Sequence, residues 1–271
     1  MRSEYKMAAL VLLLVAVSGC TSIRDQGLAV ALQADPPSVF SESVTTLHID
    51  VDNRNEKSLR NVVVELFDTG LLSLIGKCSQ NFDRLLPYEF QSISCTLLAP
   101  KIESSTETEV NARVAFKSQL QATQVFEVIS ENEYQRRVAS GSYESRPSNY
   151  IYADKNVMIN VDFNEQLPLV VRPGKKYFIY FSITNAGNGF MQDIQPADFV
   201  VEHVDSGQLP IMFCPPRQAL APVGKEFPRI ACELAIPDEF LAGGDLLNSD
   251  FTLNFGYRYE IRNSLKINII K

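Results

Sequence analysis

Apolar and polar residues alternate along most of this chain with a period of two. Leu47, Ile49 and Val51 are interleaved with His48, Asp50 and Asp52, and Tyr177, Ile179, Phe181 and Ile183 repeat the pattern in the second half. That period predicts strands with one buried and one wetted face. Each run ends in an Asn-rich turn, Asn53-Arg54-Asn55 in the first half and Asn185-Ala186-Gly187-Asn188-Gly189 in the second. Asn and Gly tolerate the positive φ that tight turns need. Further along, Ile93, Cys95 and Leu97 are answered by Ile230, Cys232 and Leu234, with Pro100 and Pro237 following at the same distance. Val110, Ala112, Val114 and Phe116 are then answered by Phe251, Leu253, Phe255 and Tyr257.

The offset between matched positions grows from 132 at the first strand to 137 at the cysteines and 141 at the last pair. A tandem duplication with loop insertions in its second copy produces that trend. Two segments break the alternation. Glu131 to Gly141 is charged and weakly helical, ending at a Gly suited to a C-cap. Asp238 to Leu247 is a second candidate helix, interrupted by Gly243-Gly244. Between the copies, residues 141 to 149 read as a linker, and Tyr143, Tyr150 and Tyr152 give it aromatic groups suited either to an interface or to packing against a neighbouring unit.

The expected fold is therefore all-β: two tandem antiparallel β-sandwiches, 28–130 and 155–271, joined by a linker with a short helix at 131–154. With about seven short strands per copy and Pro, Gly and Asn turns, the pattern resembles the CARDB and related immunoglobulin-like modules of prokaryotic surface proteins. The resemblance implies adhesion, spacing or assembly outside the membrane, and it brings no functional residues with it. The core has no Trp. The expected disulfides are local rather than joining two sheets.

The N-terminus changes the picture of where this happens. Arg2 and Lys6 precede an unbroken apolar run from Met7 to Val17, eleven residues against about 20 needed to span a bilayer. It ends in Val17-Ser18-Gly19-Cys20, which resembles a prokaryotic lipoprotein signal. The resemblance implies cleavage after residue 19, a lipidated Cys20, a tether over 20–27, and an extracytoplasmic protein held at the membrane by its acyl chains. The remaining four cysteines fall into two local pairs, Cys78 with Cys95 and Cys214 with Cys232, separated by 17 and 18 residues. This is the most economical of three connectivities and fits an oxidising compartment.

Charge and candidate chemistry narrow the function further. The net charge is −7, and it becomes −8 when Arg2, Lys6 and Glu4 leave with the presequence. Basic residues lie singly or in pairs such as Arg136-Arg137, without the clustering that tracks a phosphate backbone, so nucleic acid is not an expected partner. His48-x-Asp50-x-Asp52 sets three possible ligands on one strand face, the ordinary solvent face of a half-buried strand. Read as a calcium loop, Asp50 to Asn61 has Arg54 at the fifth position and no terminal Glu. With two histidines and no nucleophile, phosphate-loop or dinucleotide motif, no cofactor, metal or enzyme activity is expected.

The expectation is a non-enzymatic interaction or assembly module, or alternatively an accessory subunit of an envelope secretion, pilus or transport complex. A hydrolase ranks behind both. The partner would be an envelope protein, met through the loops carrying Asn53, Arg54, Asn55, Asn185, Gly187 and Asn188.

Overall fold

The computed structural model describes residues 27–203, 211–214, 218–236 and 246–271. Cys20 and the signal-like segment lie outside the described residues, as do residues 238–245 of the second expected helix. The other two residues of that helix, Leu246 and Leu247, open a strand instead. The chain is 64% strand and 5% helix, which settles the all-β class.

Three sheets carry the fold. The first has the order β1 (Leu28–Asp35), β3 (Val44–Asn53), β7 (Phe90–Leu98), β5 (Ser73–Ile75). The second repeats it with β10 (Val157–Phe163), β12 (Tyr177–Asn185), β16 (Ile230–Ala235) and β15 (Ile211–Phe213), adding β9 (Asn149–Ala153) at the edge beside β10. Strict alternation builds the central strands: Leu47, Ile49 and Val51 on β3 and Ile179, Phe181 and Ile183 on β12 are buried. The polar residues between them face outward.

The third sheet was not expected. Its centre is two 25-residue strands, β8 (Thr106–Ser130) and β17 (Leu246–Ile270), antiparallel along almost their whole length, from Leu246 opposite Ile129 to Ile269 opposite Thr106. β4 (Leu59–Asp68) flanks the early part of β8, with β6 (Ser79–Leu85) outside it. β14 (Phe199–His203) flanks the early part of β17, and β13 (Phe190–Met191) pairs with it further along. At the far ends, β2 (Ser38–Phe40) runs parallel to Asn268–Ile270 of β17, and β11 (Leu169–Val171) runs parallel to Val128–Ser130 of β8.

The large sheet thus carries a reciprocal exchange. The end of β17 lies beside the first-half strands β2 and β8, and the end of β8 lies beside the second-half strands β11 and β17. The expected short strands at 110–116 and 251–257 are parts of these long ones. The expected separation at 131–154 does not divide the sheets, because the eight-stranded sheet is common to both halves, and one contiguous set of buried apolar side chains runs through them. Phenylalanines fill the place a Trp would take: Phe126 packs on Phe163 with ring centroids 5.3 Å apart, and Phe181 packs edge-on against Phe199 at 5.1 Å.

The segment between the halves is only partly a linker. Helix α1 (Glu131–Ala139) forms as its sequence predicts: Ser130 caps it by accepting from the Glu133 N–H at 3.0 Å, with acidic residues in the first turn and Arg136 and Arg137 in the last. Arg137 holds both Glu133 and Glu127 of β8, fixing the helix to the end of the shared sheet. Tyr150 and Tyr152 belong to strand β9, where Tyr150 packs on Phe163 and the Tyr152 hydroxyl donates to the Gln124 amide oxygen at 2.6 Å. Tyr143 stacks edge-on against Tyr134. These tyrosines are packing groups.

Both expected disulfides form, with Cα atoms 5.4 Å apart for Cys78–Cys95 and 4.5 Å for Cys214–Cys232. Two such bridges point to an oxidising, extracytoplasmic environment. One detail is corrected. Cys78 leads into β6 of the eight-stranded sheet, its carbonyl accepting from Leu66 of β4, while Cys95 sits on β7 of the four-stranded sheet. The first bridge therefore does tie two sheets together. The second joins the neighbours β15 and β16 within one sheet.

Candidate functional site: the junction between the halves

The turns after β3 and β12 come together around Asp154-Lys155-Asn156, the turn joining β9 to β10. A groove of about 600 Å3 is lined by Arg54 to Lys57, Tyr88, Asp154 to Asn156 and Tyr257. A second groove, of about 590 Å3, lies between Gly27, Lys155, the Ala186–Gly189 turn and Arg262. Lys155 and Asn156 line both. The described chain enters here: a Cβ placed on Gly27 would lie 2.8 Å from Asn55 Oδ1 and 3.2 Å from Lys155 Cβ.

Two of the four Asn residues expected to touch a partner, Asn53 and Asn185, are turned inward. Asn53 is wholly buried. Its amide donates to the carbonyls of Lys57, Leu85 and Leu86 at 3.1, 3.3 and 2.7 Å, and its Oδ1 accepts from the Asn55 N–H. Asn185 is also buried; its amide donates to the Gly189 carbonyl at 2.8 Å, and its Oδ1 accepts from the Gly187 N–H and the Tyr259 hydroxyl. Both hold their turns in shape, since the backbone groups inside such turns need partners once water is excluded. The solvent-facing members of these turns are Arg54, Glu56, Lys57, Ala186 and Asn188, with Asn55 and Gly187 half-buried.

Behind the turns lies a polar network that the sequence did not single out. The Tyr257 hydroxyl donates to Asp154 Oδ2 at 2.7 Å and accepts from the Asn156 amide at 3.2 Å. Asp154 Oδ1 caps the N–H groups of Asn156 and Val157. Two residues along β17, the Tyr259 hydroxyl accepts from the Gly189 N–H at 2.8 Å while donating to Asn185. The ring lies so close that a Cβ on Gly187 or Gly189 would collide with it. The available signal was parity: Tyr257 and Tyr259 follow Phe251, Leu253 and Phe255 on the inward face, and a buried phenol needs a polar partner.

Burial, and then the Asp154 charge, push the Tyr257 phenol well above its ordinary value. Burial raises Tyr259 as well. These phenols are neutral hydrogen-bonding groups at physiological pH, unsuited to act as bases or nucleophiles.

The outer face of β3 is self-satisfied. His48 Nδ1 lies 3.0 Å from Ser94 Oγ, Asp50 accepts from Ser92 Oγ at 2.6 Å, and Asp52 pairs with Arg54 at 2.7 Å. Among the described residues, no group of three His, Cys, Asp or Glu side chains is placed to hold a metal. Nor is any helix among them long and apolar enough to cross a membrane.

This chain matches no family model and no curated protein. Among solved structures, a protein of unknown function from Porphyromonas gingivalis W83 aligns over 90% of this chain and 100% of its own, at 12% identity and a TM-score of 0.24. The likeness at that score carries no functional argument.

Proposed function

We propose that this protein is a non-enzymatic interaction and assembly module of the cell envelope, lipidated at Cys20. In this reading each half is an immunoglobulin-like sandwich of the kind found in prokaryotic surface proteins, with its large sheet completed by a strand end from the other half. The repeated strand orders β1-β3-β7-β5 and β10-β12-β16-β15 support that reading, as do the matching crossings of β2 and β11 into the large sheet.

The observation that carries the functional proposal is convergence. Turns that lie 132 residues apart in sequence form one surface, exposing Arg54, Glu56 and Lys57 beside Asn188, on a base made rigid by the Asn53, Asn185, Tyr257 and Tyr259 bonds. Rigid loops lose little entropy on binding. Polar groups that could do chemistry are instead spent on one another.

The anchor gives the surface a direction. Gly27 lies seven steps along the chain from Cys20. At no more than about 3.6 Å per residue they reach about 25 Å, so a lipidated Cys20 holds the junction close to the bilayer. The partner is then a membrane protein or one seated beside the membrane, which favours the accessory-subunit version of the proposal.

Photo-crosslinking residues introduced at Arg54 and Asn188 in intact cells test the reading. Both positions are expected to capture the same envelope protein, and Cys20→Ser is expected to abolish capture by releasing the chain from membranes. Capture unchanged in that variant, or no product from either turn while surface positions on β3 react, would overturn it.

A further inference from the structure

The outer face of the eight-stranded sheet carries a feature hidden by the scatter of basic residues in the sequence. Arg84 on β6 is the register partner of Arg60 on β4. Arg60 is the partner of Lys117 on β8, and Lys117 is the partner of Arg258 on β17. Four cations therefore stand in one row across four adjacent strands, all exposed. At about 4.8 Å between strands the row is ~14 Å long.

Like charges directly opposite one another destabilise a sheet. Among the described residues, none of the four forms an ion pair, whereas neighbouring cations on the same sheet do: Arg113 with Glu65, Arg262 with Glu260, and Lys266 with Glu107. The row survives in a chain whose net charge is −7. A cleft of about 510 Å3 opens along three of the four, lined by Arg60, Arg84 and Lys117 together with Lys57, Ser58 and Gln121, and Arg258 extends the row beyond it. No carboxylate lines it. Lys57 Nζ reaches the Gln119 carbonyl across it at 3.4 Å. Asp198 stands beyond the far rim, its Oδ1 3.8 Å from the Cβ position of Gly256, and is engaged by the Gln195 N–H.

We propose that this row is a binding site for a ligand carrying two or more phosphate groups. Charge density selects phosphate over carboxylate. An extended acidic peptide presents one side chain to a face every ~6.8 Å, so about two single charges would meet four cations. Two phosphate monoesters bring a total of about −3 to −4 over the same length. Arg60 and Arg84 supply planar forks suited to phosphate oxygens, and Ser58, Gln119 and Gln121 supply neutral hydrogen-bonding groups around them. The same chemistry is offered by a soluble oligophosphate and by the phosphate-monoester headgroups of a membrane surface.

Calorimetric titration of the purified full chain with tripolyphosphate tests the first source. Co-sedimentation with vesicles containing phosphatidic acid, against phosphatidylcholine alone, tests the second. Saturable binding is expected in at least one arm, weakened tenfold or more by Arg60→Gln/Lys117→Gln and, independently, by Arg84→Gln/Arg258→Gln. The control Arg113→Gln/Lys266→Gln, which removes two cations already paired on the same sheet, is expected to stay within twofold of the parent. The two row variants should melt no lower than the parent, and higher if repulsion is relieved. Tripolyphosphate binding alone assigns a soluble ligand, and vesicle binding alone assigns the membrane surface. No binding in either arm overturns the site, as does equal weakening in row variants and control, or full binding with the row neutralised.

Discussion

The two halves of the molecule pair their strands in the same order and fasten them differently. In the first half, the disulfide Cys78–Cys95 ties two sheets, and Asn53 spends its amide on carbonyls of its own half, at Lys57, Leu85 and Leu86. In the second, Cys214–Cys232 joins neighbouring strands of one sheet, and Asn185 reaches Tyr259 on β17, opposite Phe116 of the first half. Cysteine spacing and an Asn at the end of a strand thus fix loop size and turn type. They leave open which surfaces are stitched. The first half is closed upon itself at this turn, whereas the second is closed upon the shared sheet.

The comparison breaks most sharply if the halves are cut apart. A chain ending at residue 145 lacks the β17 strand that pairs with β8, leaving that edge of β8 without hydrogen-bond partners from Thr106 to Ile129, so its cooperative melting transition should be lost altogether. A well-dispersed, cooperatively melting first half would refute the reciprocal exchange. Next in size are the bridges. Loops of 17 and 18 residues make the chain-entropy contribution nearly the same, so Cys78→Ala/Cys95→Ala and Cys214→Ala/Cys232→Ala should each cost about 3 kcal/mol in denaturant melts. A much larger loss for the first pair would show that tying two sheets matters more than loop size.

The asparagines come third. Asn53→Ala strands three carbonyls and should cost about 2–3 kcal/mol, and Asn185→Ala about 1–2 kcal/mol. A double-mutant cycle with Tyr259→Phe should show coupling of about 1 kcal/mol for Asn185 and none for Asn53. Coupling of the same size at both positions would erase the difference between the halves.

Smaller still is a pH effect at the junction. The Tyr257 phenol ionises near pH 10 in the unfolded chain and only higher in the folded one, so stability should hold below about pH 10 and fall above it as the unfolded chain loses protons first. Tyr259 and Tyr177 shift the same way. Tyr257→Phe should therefore reduce the fall without removing it; an unchanged alkaline limb in chemical denaturation at several pH values would place the phenol outside this linkage. The smallest effect belongs to the turn tips: Arg54→Ala and Asn188→Ala should change stability by less than about 0.5 kcal/mol.

Much of this was legible in the chain because strand parity is a local property. The period of two set which side of β3 and β12 is buried, and the same parity carried through to Asn53 and Asn185, which places both on the buried face rather than at a contact surface. Helix α1 was legible from its cap and charges. The shared sheet was not. Val110 to Phe116 and Phe251 to Tyr257 alternate as short strands would, and nothing in alternation says that each continues into the other half or which strand lies beside it. The cation row failed for the same reason, since Arg60, Arg84, Lys117 and Arg258 become neighbours only through register. The Tyr257–Asp154 bond likewise joins residues 103 positions apart.

The reciprocal exchange also orders events in time. Thr106 pairs with Ile269 and Ile129 with Leu246, contacts spanning 163 and 117 residues. Pairings that distant form slowly, because the intervening chain must be closed before they are rewarded. β17, the strand that completes the first half, is synthesised after every other described strand. The first half therefore cannot finish folding as it emerges; one edge of β8 stays unpaired until β17 arrives. A chaperone acting on this protein would find its longest-lived client at that open strand edge, between residues 106 and 117.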